Sequence, residues 1–226
     1  MTEKKNQFTG PKKYLEKSFL EELNYKIWST KGARFKADKR LKTKAKSSNI
    51  SLAIISAYLI IASLISVYNI GNENNGNIIS YAITALSILL LVVSQFENSQ
   101  EYKLNARIFH DCGLELSELY NELRIFKTLK KKPSDYETYS FSKNLSDRYQ
   151  TVLKNYQNHS PIDYDMFQIS NLDYFDKITL SEVKKIKRRY NWEIYGWYTI
   201  MIVLTPIIII GIEILLNYII TCPNNL

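Results

Sequence analysis

Between Ser47 and Glu97 the chain carries two long apolar runs joined by the short loop Gly71-Asn-Glu-Asn-Asn-Gly-Asn77, which has no basic residue. Asn49 to Ile70 and Ile78 to Phe96 contain no charged side chain, and each is long enough as a helix to cross about 30 Å of hydrocarbon. Inside a bilayer there is no water to satisfy backbone N–H and C=O groups, so such runs must bond internally as helices. The pattern predicts a membrane hairpin. A third run, Tyr195 to Cys222, has Glu213 as its only charge and Pro206 as its only helix breaker, and it predicts a further C-terminal transmembrane helix.

Charge placement orients these spans. The formal net charge is +8, and twelve Lys or Arg residues lie between Lys12 and Lys46 against four acids, Glu16, Glu21, Glu22 and Asp38. A basic block of this kind can bind nucleic acid, but this one ends at a transmembrane helix, where the positive-inside rule accounts for it. Direct nucleic-acid binding is therefore not expected. Lys184, Lys185, Lys187, Arg188 and Arg189 form a second basic cluster before the third span, whereas the hairpin loop and the tail after Cys222 have no basic residue. The first 48 residues lack the short apolar core and small-residue cleavage site of a secretory signal. The expected topology is N-terminus in the cytoplasm, hairpin loop out, the segment from Asn98 in and C-terminus out, in the inner membrane of a bacterium.

Cys112 falls on the cytoplasmic side and Cys222 at the outer end of the last span, so no disulfide is expected within one subunit. His110 and His159 have no clustered Cys or acidic ligands beside them, and neither a metal nor a cofactor is expected.

The intervening segments carry helical signals. Leu20, Leu23, Ile27, Phe35, Leu41 and Ala45 recur near helical spacing and predict an amphipathic helix running into the first span. Phe109, Cys112, Leu116, Leu119, Leu123 and Phe126 alternate spacings of three and four, the seam of a coiled-coil-like helix that continues the second span. Lys130, Lys131 and Lys132 suit a helix C-terminus, and Pro133 stops it. Three capping-box patterns follow: Ser134 with Glu137, Ser160 with Asp163, and Thr179 with Glu182. The first opens a helix with the stripe Phe141, Leu145, Tyr149, Val152 and Tyr156; the third opens one that runs through the basic cluster into the last span. The expected fold is an all-α membrane protein. Its parts are a basic amphipathic region over 1–48, a transmembrane hairpin over 49–96, cytoplasmic helices over 97–190 and a C-terminal transmembrane helix with a short tail over 191–226.

Few residues offer chemistry. Ser56 and Ser63 in the first span, and Ser80, Thr84 and Ser87 in the second, recur at helical spacing; such stripes serve either close helix packing or the lining of a water-filled lumen between subunits. Glu213 is the one ionisable acid within an apolar run. It reaches the outer interface if the last span begins near Asn191, and is buried if it begins near Trp197. His159 with Asp163 has the look of an acid–base pair, but Asp163 is accounted for by capping and no nucleophile accompanies it. No catalytic triad, paired-carboxylate site or phosphate loop is present, and the chain is not expected to be an enzyme.

Three segments taken together resemble a known family. Thr30-Lys-Gly-Ala-Arg-Phe-Lys-Ala-Asp-Lys-Arg-Leu41 directly precedes the hairpin, Ala106 to Leu119 carries Arg107, Cys112 and Leu116, and Tyr149 to Tyr164 contains Asn158-His-Ser-Pro-Ile-Asp-Tyr164. Their order and spacing, over Leu20 to Phe175, resemble a SLATT domain, with Arg34, Arg40, Asn158, His159 and Asp163 as the residues that carry the motif. The resemblance implies a membrane effector of bacterial conflict systems that forms pores and kills or arrests the cell. It also implies a partner that senses infection, such as a nucleotide-second-messenger system or, in some branches, a reverse transcriptase. An oligomeric pore-former is expected. Its alternative is a membrane anchor or scaffold that recruits a cytoplasmic defence enzyme without forming a pore. A transporter using Glu213 has too little enclosed pathway in three spans.

The charge asymmetry makes a topological prediction. A reporter fused at Asn75 is expected to be periplasmic and one at Lys130 cytoplasmic, read by alkaline phosphatase and green fluorescence respectively; a cytoplasmic Asn75 reverses the orientation.

Overall fold

Segments that cannot bond to solvent become helices, and here helices account for all the regular structure described. The computed structural model describes residues 18–68 and 76–221. Its elements are α1 (Phe19–Val67), α2 (Gly76–Ser99), α3 (Tyr102–Leu129), α4 (Asp135–Asn155), α5 (Pro161–Gln168), α6 (Leu180–Asn191), a π-helical turn (Trp192–Gly196) and α7 (Trp197–Thr221). No strand occurs among the described residues. Three helices are long and apolar enough to cross a membrane, including the C-terminal one.

The chain divides into two units. Unit 1 combines the chain up to Asp38 with Arg107–Thr179, and unit 2 combines Lys39–Ala106 with the chain from Leu180. Helix α1 contributes to both.

Unit 1 is a helical assembly with one apolar core. Leu23 and Ile27 of α1, Cys112, Leu116, Leu119 and Leu123 of α3, and Leu145, Tyr149 and Val152 of α4 interlock, with Phe141 and Tyr156 packed alongside. The coiled-coil-like seam of α3 is thus closed within the chain. Three apolar stripes meeting in one core leave none of them free, and Phe126 completes the arrangement by stacking on Phe141 at 4.0 Å between ring centroids.

Capping fixes where the helices begin. Ser18 Oγ accepts the Glu21 N–H at 3.3 Å at the start of α1. At α4, Ser134 Oγ accepts the Glu137 N–H while the Glu137 carboxylate accepts the Ser134 N–H at 3.0 Å, and Lys130 closes the corner with a 2.8 Å contact to Glu137. These donors hold the Glu137 carboxyl down to about 2. At α5, Pro161 follows Ser160 and the Ser160 N–H donates to Asp163 Oδ2 at 3.1 Å. Helix α6 begins directly after Thr179, with Glu182 in its first turn.

Unit 2 holds the spans. Ile55, Leu59 and Ala62 of α1 and Ile83 of α2 are buried, and Ser66 hydrogen-bonds Ser80 across the hairpin at 3.1 Å. Ile60, Ile61, Leu64, Leu89, Leu91 and Ile207 instead project outward. Apolar side chains facing out over this length fit lipid as their solvent rather than water.

Two departures from helical regularity stand out. The second span was expected to run unbroken into α3, but α2 ends at Ser99 and Glu101 takes a left-handed φ of 48°. The Gln100 N–H reaches back to Glu97 O, the Asn105 N–H restarts the ladder from Glu101 O at 2.9 Å, and Asn105 Nδ2 satisfies Gln100 O. Side-chain and tight-turn bonds thereby replace the lost helical ones. The second departure is the π turn between α6 and α7, where Gly196 has no Cβ because the Trp192 ring occupies that space, 2.7 Å from where one would stand.

Close approach makes Gly32 testable. A Cβ there would lie 2.1 Å from Cδ2 of Phe167, a buried ring of α5. Gly32→Ala is expected to lower stability by roughly 1–3 kcal/mol through overpacking, outweighing the ~1 kcal/mol helix propensity it adds. Gly211→Ala, with nothing within 4 Å of the added carbon, should be neutral or slightly stabilising. Thermal melts of the detergent-solubilised full chain compare the two.

Candidate functional site

Ser56 Oγ donates to Leu52 O, Thr84 Oγ1 to Ser80 O and Ser87 Oγ to Ile83 O, all at 2.8 Å. Each hydroxyl bonds to the preceding turn of its own helix, as such side chains do in apolar surroundings. Ser80, Thr84 and Ser87 lie exposed along one side of α2, while Ser56 and Ser63 are half-buried on α1. Glu213 lies within α7, and its side chain falls outside the described residues.

The motif residues behave differently. Arg34, Asn158, His159 and Asp163, separated by well over a hundred positions, meet in unit 1. Arg34 is the bulkiest fully buried side chain, with 0% of its surface exposed, and Asp163 is equally buried. Arg34 Nη1 donates to the Gln157 carbonyl and Nη2 to Asn158 Oδ1 at 3.5 Å, while the guanidinium lies 5.5 Å from the Phe109 ring centre. Burying a cation costs heavily unless its donors and charge are matched. Burial accordingly lowers the Arg34 pKa, and Cys112, Tyr149 and Asp163 act electrostatically in the opposite sense. Helix α5 supplies Asp163 because its Ser-Pro start is fixed by the cap, and α4 ends just where Gln157 and Asn158 can reach the guanidinium.

Burial sets the ionisation of the groups around Arg34. Burial pushes the Cys112 thiol up to about 11, so it stays protonated beside Arg34. Burial, and then the Arg34 charge, lowers the His159 pKa, and His159 Nδ1 is enclosed without a hydrogen-bond partner. Among the described residues, no group of three His, Cys, Asp or Glu side chains could hold a metal ion.

Arg40, the remaining motif residue, belongs to unit 2. Its Nη1 donates to Glu193 Oε1 of the π turn at 3.1 Å, joining α1 to the entrance of the last span. A second buried polar tie lies nearby in sequence: Tyr198 O–H donates to Glu97 Oε2 at 2.8 Å, with both residues almost wholly enclosed. Sequence reasoning did not single out Glu193, Glu97 or Tyr198. The available signal was the placement of acids next to apolar runs, where an unmatched carboxylate is costly.

The His159 environment makes a pH prediction. Its folded pKa lies below the ordinary 6.5, so the unfolded chain binds the proton more readily as pH falls through that value. The bundle is expected to lose stability below about pH 6.5 and to be insensitive to this group above it. His159→Gln should flatten that part of the profile, measured as melting temperature of the solubilised protein between pH 5 and 8.

Comparison with known proteins gives a family. A family model described as "SMODS and SLOG-associating 2TM effector domain family 5" matches residues 16–212. No curated protein and no solved structure matches the chain. The matched region runs past Phe175, where the likeness read from the sequence ended, and takes in α6, the π turn and much of α7. It spans both the buried Arg34 cluster and the Arg40–Glu193 tie, and the chain belongs to the SLATT family.

Proposed function

We propose that this protein is a non-enzymatic membrane effector of a bacterial antiviral conflict system, which oligomerises through its spans and opens a pore in the inner membrane. The supporting observation is the exposed Ser80, Thr84 and Ser87 face of α2 within a family of two-span effector domains. The Thr84 and Ser87 hydroxyls, already bonded to their own helix, lower the cost of small residues meeting across subunits and keep lone pairs that can face water, while Ser80 also bonds Ser66 across the hairpin. Assembly runs through span faces in this reading, because the Phe109 to Phe126 seam is closed within each chain. The N-terminus is cytoplasmic, in keeping with the basic flanks, and unit 1 lies on that side to receive the signal. A separate sensor supplies it; the family description names SMODS and SLOG associations, which favours a nucleotide-second-messenger system over a reverse transcriptase. The signal acts by shifting the population from closed to open, which takes about a 10⁴-fold preference to go from 1:99 to 99:1.

One observation favours the anchor reading. At the end of unit 1 formed by the last turns of α3 and the first of α4, Ile125, Leu129, Tyr136 and Tyr139 are exposed. Apolar groups gathered in this way suit a docked protein partner.

Inducible expression with the activating partner, followed by membrane potential and dye entry, separates the two. The intact protein is expected to depolarise cells, and Ser80→Leu with Thr84→Leu and Ser87→Leu is expected to abolish this at equal membrane abundance. An activated intact protein that never depolarises cells, yet co-purifies with a cytoplasmic partner, establishes the anchor.

A further inference from the structure

An open recess of about 470 Å³ lies in unit 2 between α1 and the first turn of α3, lined by Lys42, Lys46, Asn49, Ile50 and Lys103. Intervals of four, seven and eight place the four α1 residues on one face of that helix. All five lining residues are exposed. The recess is chemically graded along α1. Lys42 and Lys46 stand about two turns and one turn before the charge-free run, Asn49 begins it, and Ile50 opens its outward apolar surface. Lys103, from the restart of the chain after Glu101, adds a third cation from the opposite wall. A ligand matching this gradient carries negative charge at one end and an apolar body at the other.

We propose that the recess binds an anionic phospholipid. Lys42, Lys46 and Lys103 surround the headgroup phosphate, the Asn49 amide donates to a glycerol or ester oxygen, and the first acyl methylenes lie on Ile50. Basic clusters beside transmembrane helices attract anionic lipids generally; the recess adds a defined position and a fixed apolar wall. The assignment rests on membrane insertion but not on pore formation, so lipid binding and depolarisation can fail independently.

Native mass spectrometry of the full chain, purified in a neutral detergent and titrated with phosphatidylglycerol or phosphatidylcholine, tests this. Phosphatidylglycerol is expected to saturate at one per chain, with at least tenfold tighter binding than phosphatidylcholine. Lys42→Gln with Lys46→Gln and Lys103→Gln should weaken it about a hundredfold, in line with three surface cations. The charge-matched set Lys184→Gln, Lys185→Gln and Lys187→Gln, on exposed positions of α6, should retain the bound lipid. Equal affinity for the two lipids, or equal loss in both variant sets, overturns the site. Displacement of the lipid by millimolar inorganic phosphate reassigns the recess to a free anion and likewise overturns the proposal.

Discussion

A backbone in lipid has to carry its own hydrogen bonds, and a charge taken out of water has to be matched; both demands fall on α1 along one helix. Its first part presents Leu23 and Ile27 to an apolar core and Arg34 to a polar pocket. Its second part presents Ile55, Leu59 and Ala62 to neighbouring spans and leaves Ile60, Ile61 and Leu64 to lipid. Helical geometry is uniform throughout, so the change of environment is written entirely in side chains. Each unit is organised around what its portion of α1 offers.

The buried Arg34 sets the strictest condition within unit 1. A guanidinium presents five donors in a fixed plane, and leaving them unmet in a low-dielectric core is far costlier than an ordinary packing defect. The carbonyl of Gln157, the side chain of Asn158 and the charge of Asp163 come from the end of α4 and the start of α5, so the connection between those helices must take one path. Such an arrangement adds little net stability over a well-packed apolar core, but it penalises other ways of docking α5. Trp28 then packs against Phe167 on the apolar side of the same helix and against Tyr174 beyond its end, at 4.7 and 5.0 Å between ring centroids.

Much of this was legible in the sequence, for identifiable reasons. Charge-free runs, the Ser134 and Ser160 caps and the Leu116 and Leu145 stripes are local patterns, and local patterns report helices directly. The partners of those stripes were not legible. A seam of threes and fours looks the same whether it meets another subunit or the chain's own α1 and α4, and here it meets the latter. Family likeness singled out Arg34, Asn158, His159 and Asp163, but their convergence was not legible, since no periodicity links positions so far apart. Breaks were hardest: nothing in Gln100-Glu101 is a Gly or Pro, and the turn is held by Asn105 and backbone bonds that form only in the folded chain.

The π turn at Trp192–Gly196 has a rotational consequence. An α-helix advances about 100° per residue, so one additional residue in a turn resets the azimuth of everything after it. The basic face of α6 and the Tyr198 face of α7 are therefore out of helical phase, which is why a single uninterrupted helical wheel cannot describe the last span and its approach. Were the turn to relax to regular α-helix, α7 would rotate by about a quarter turn about its own axis, carrying Tyr198 away from Glu97 and turning a different strip of isoleucines toward lipid. A change in the winding of five residues would be enough to exchange the surfaces that this span shows to its neighbours.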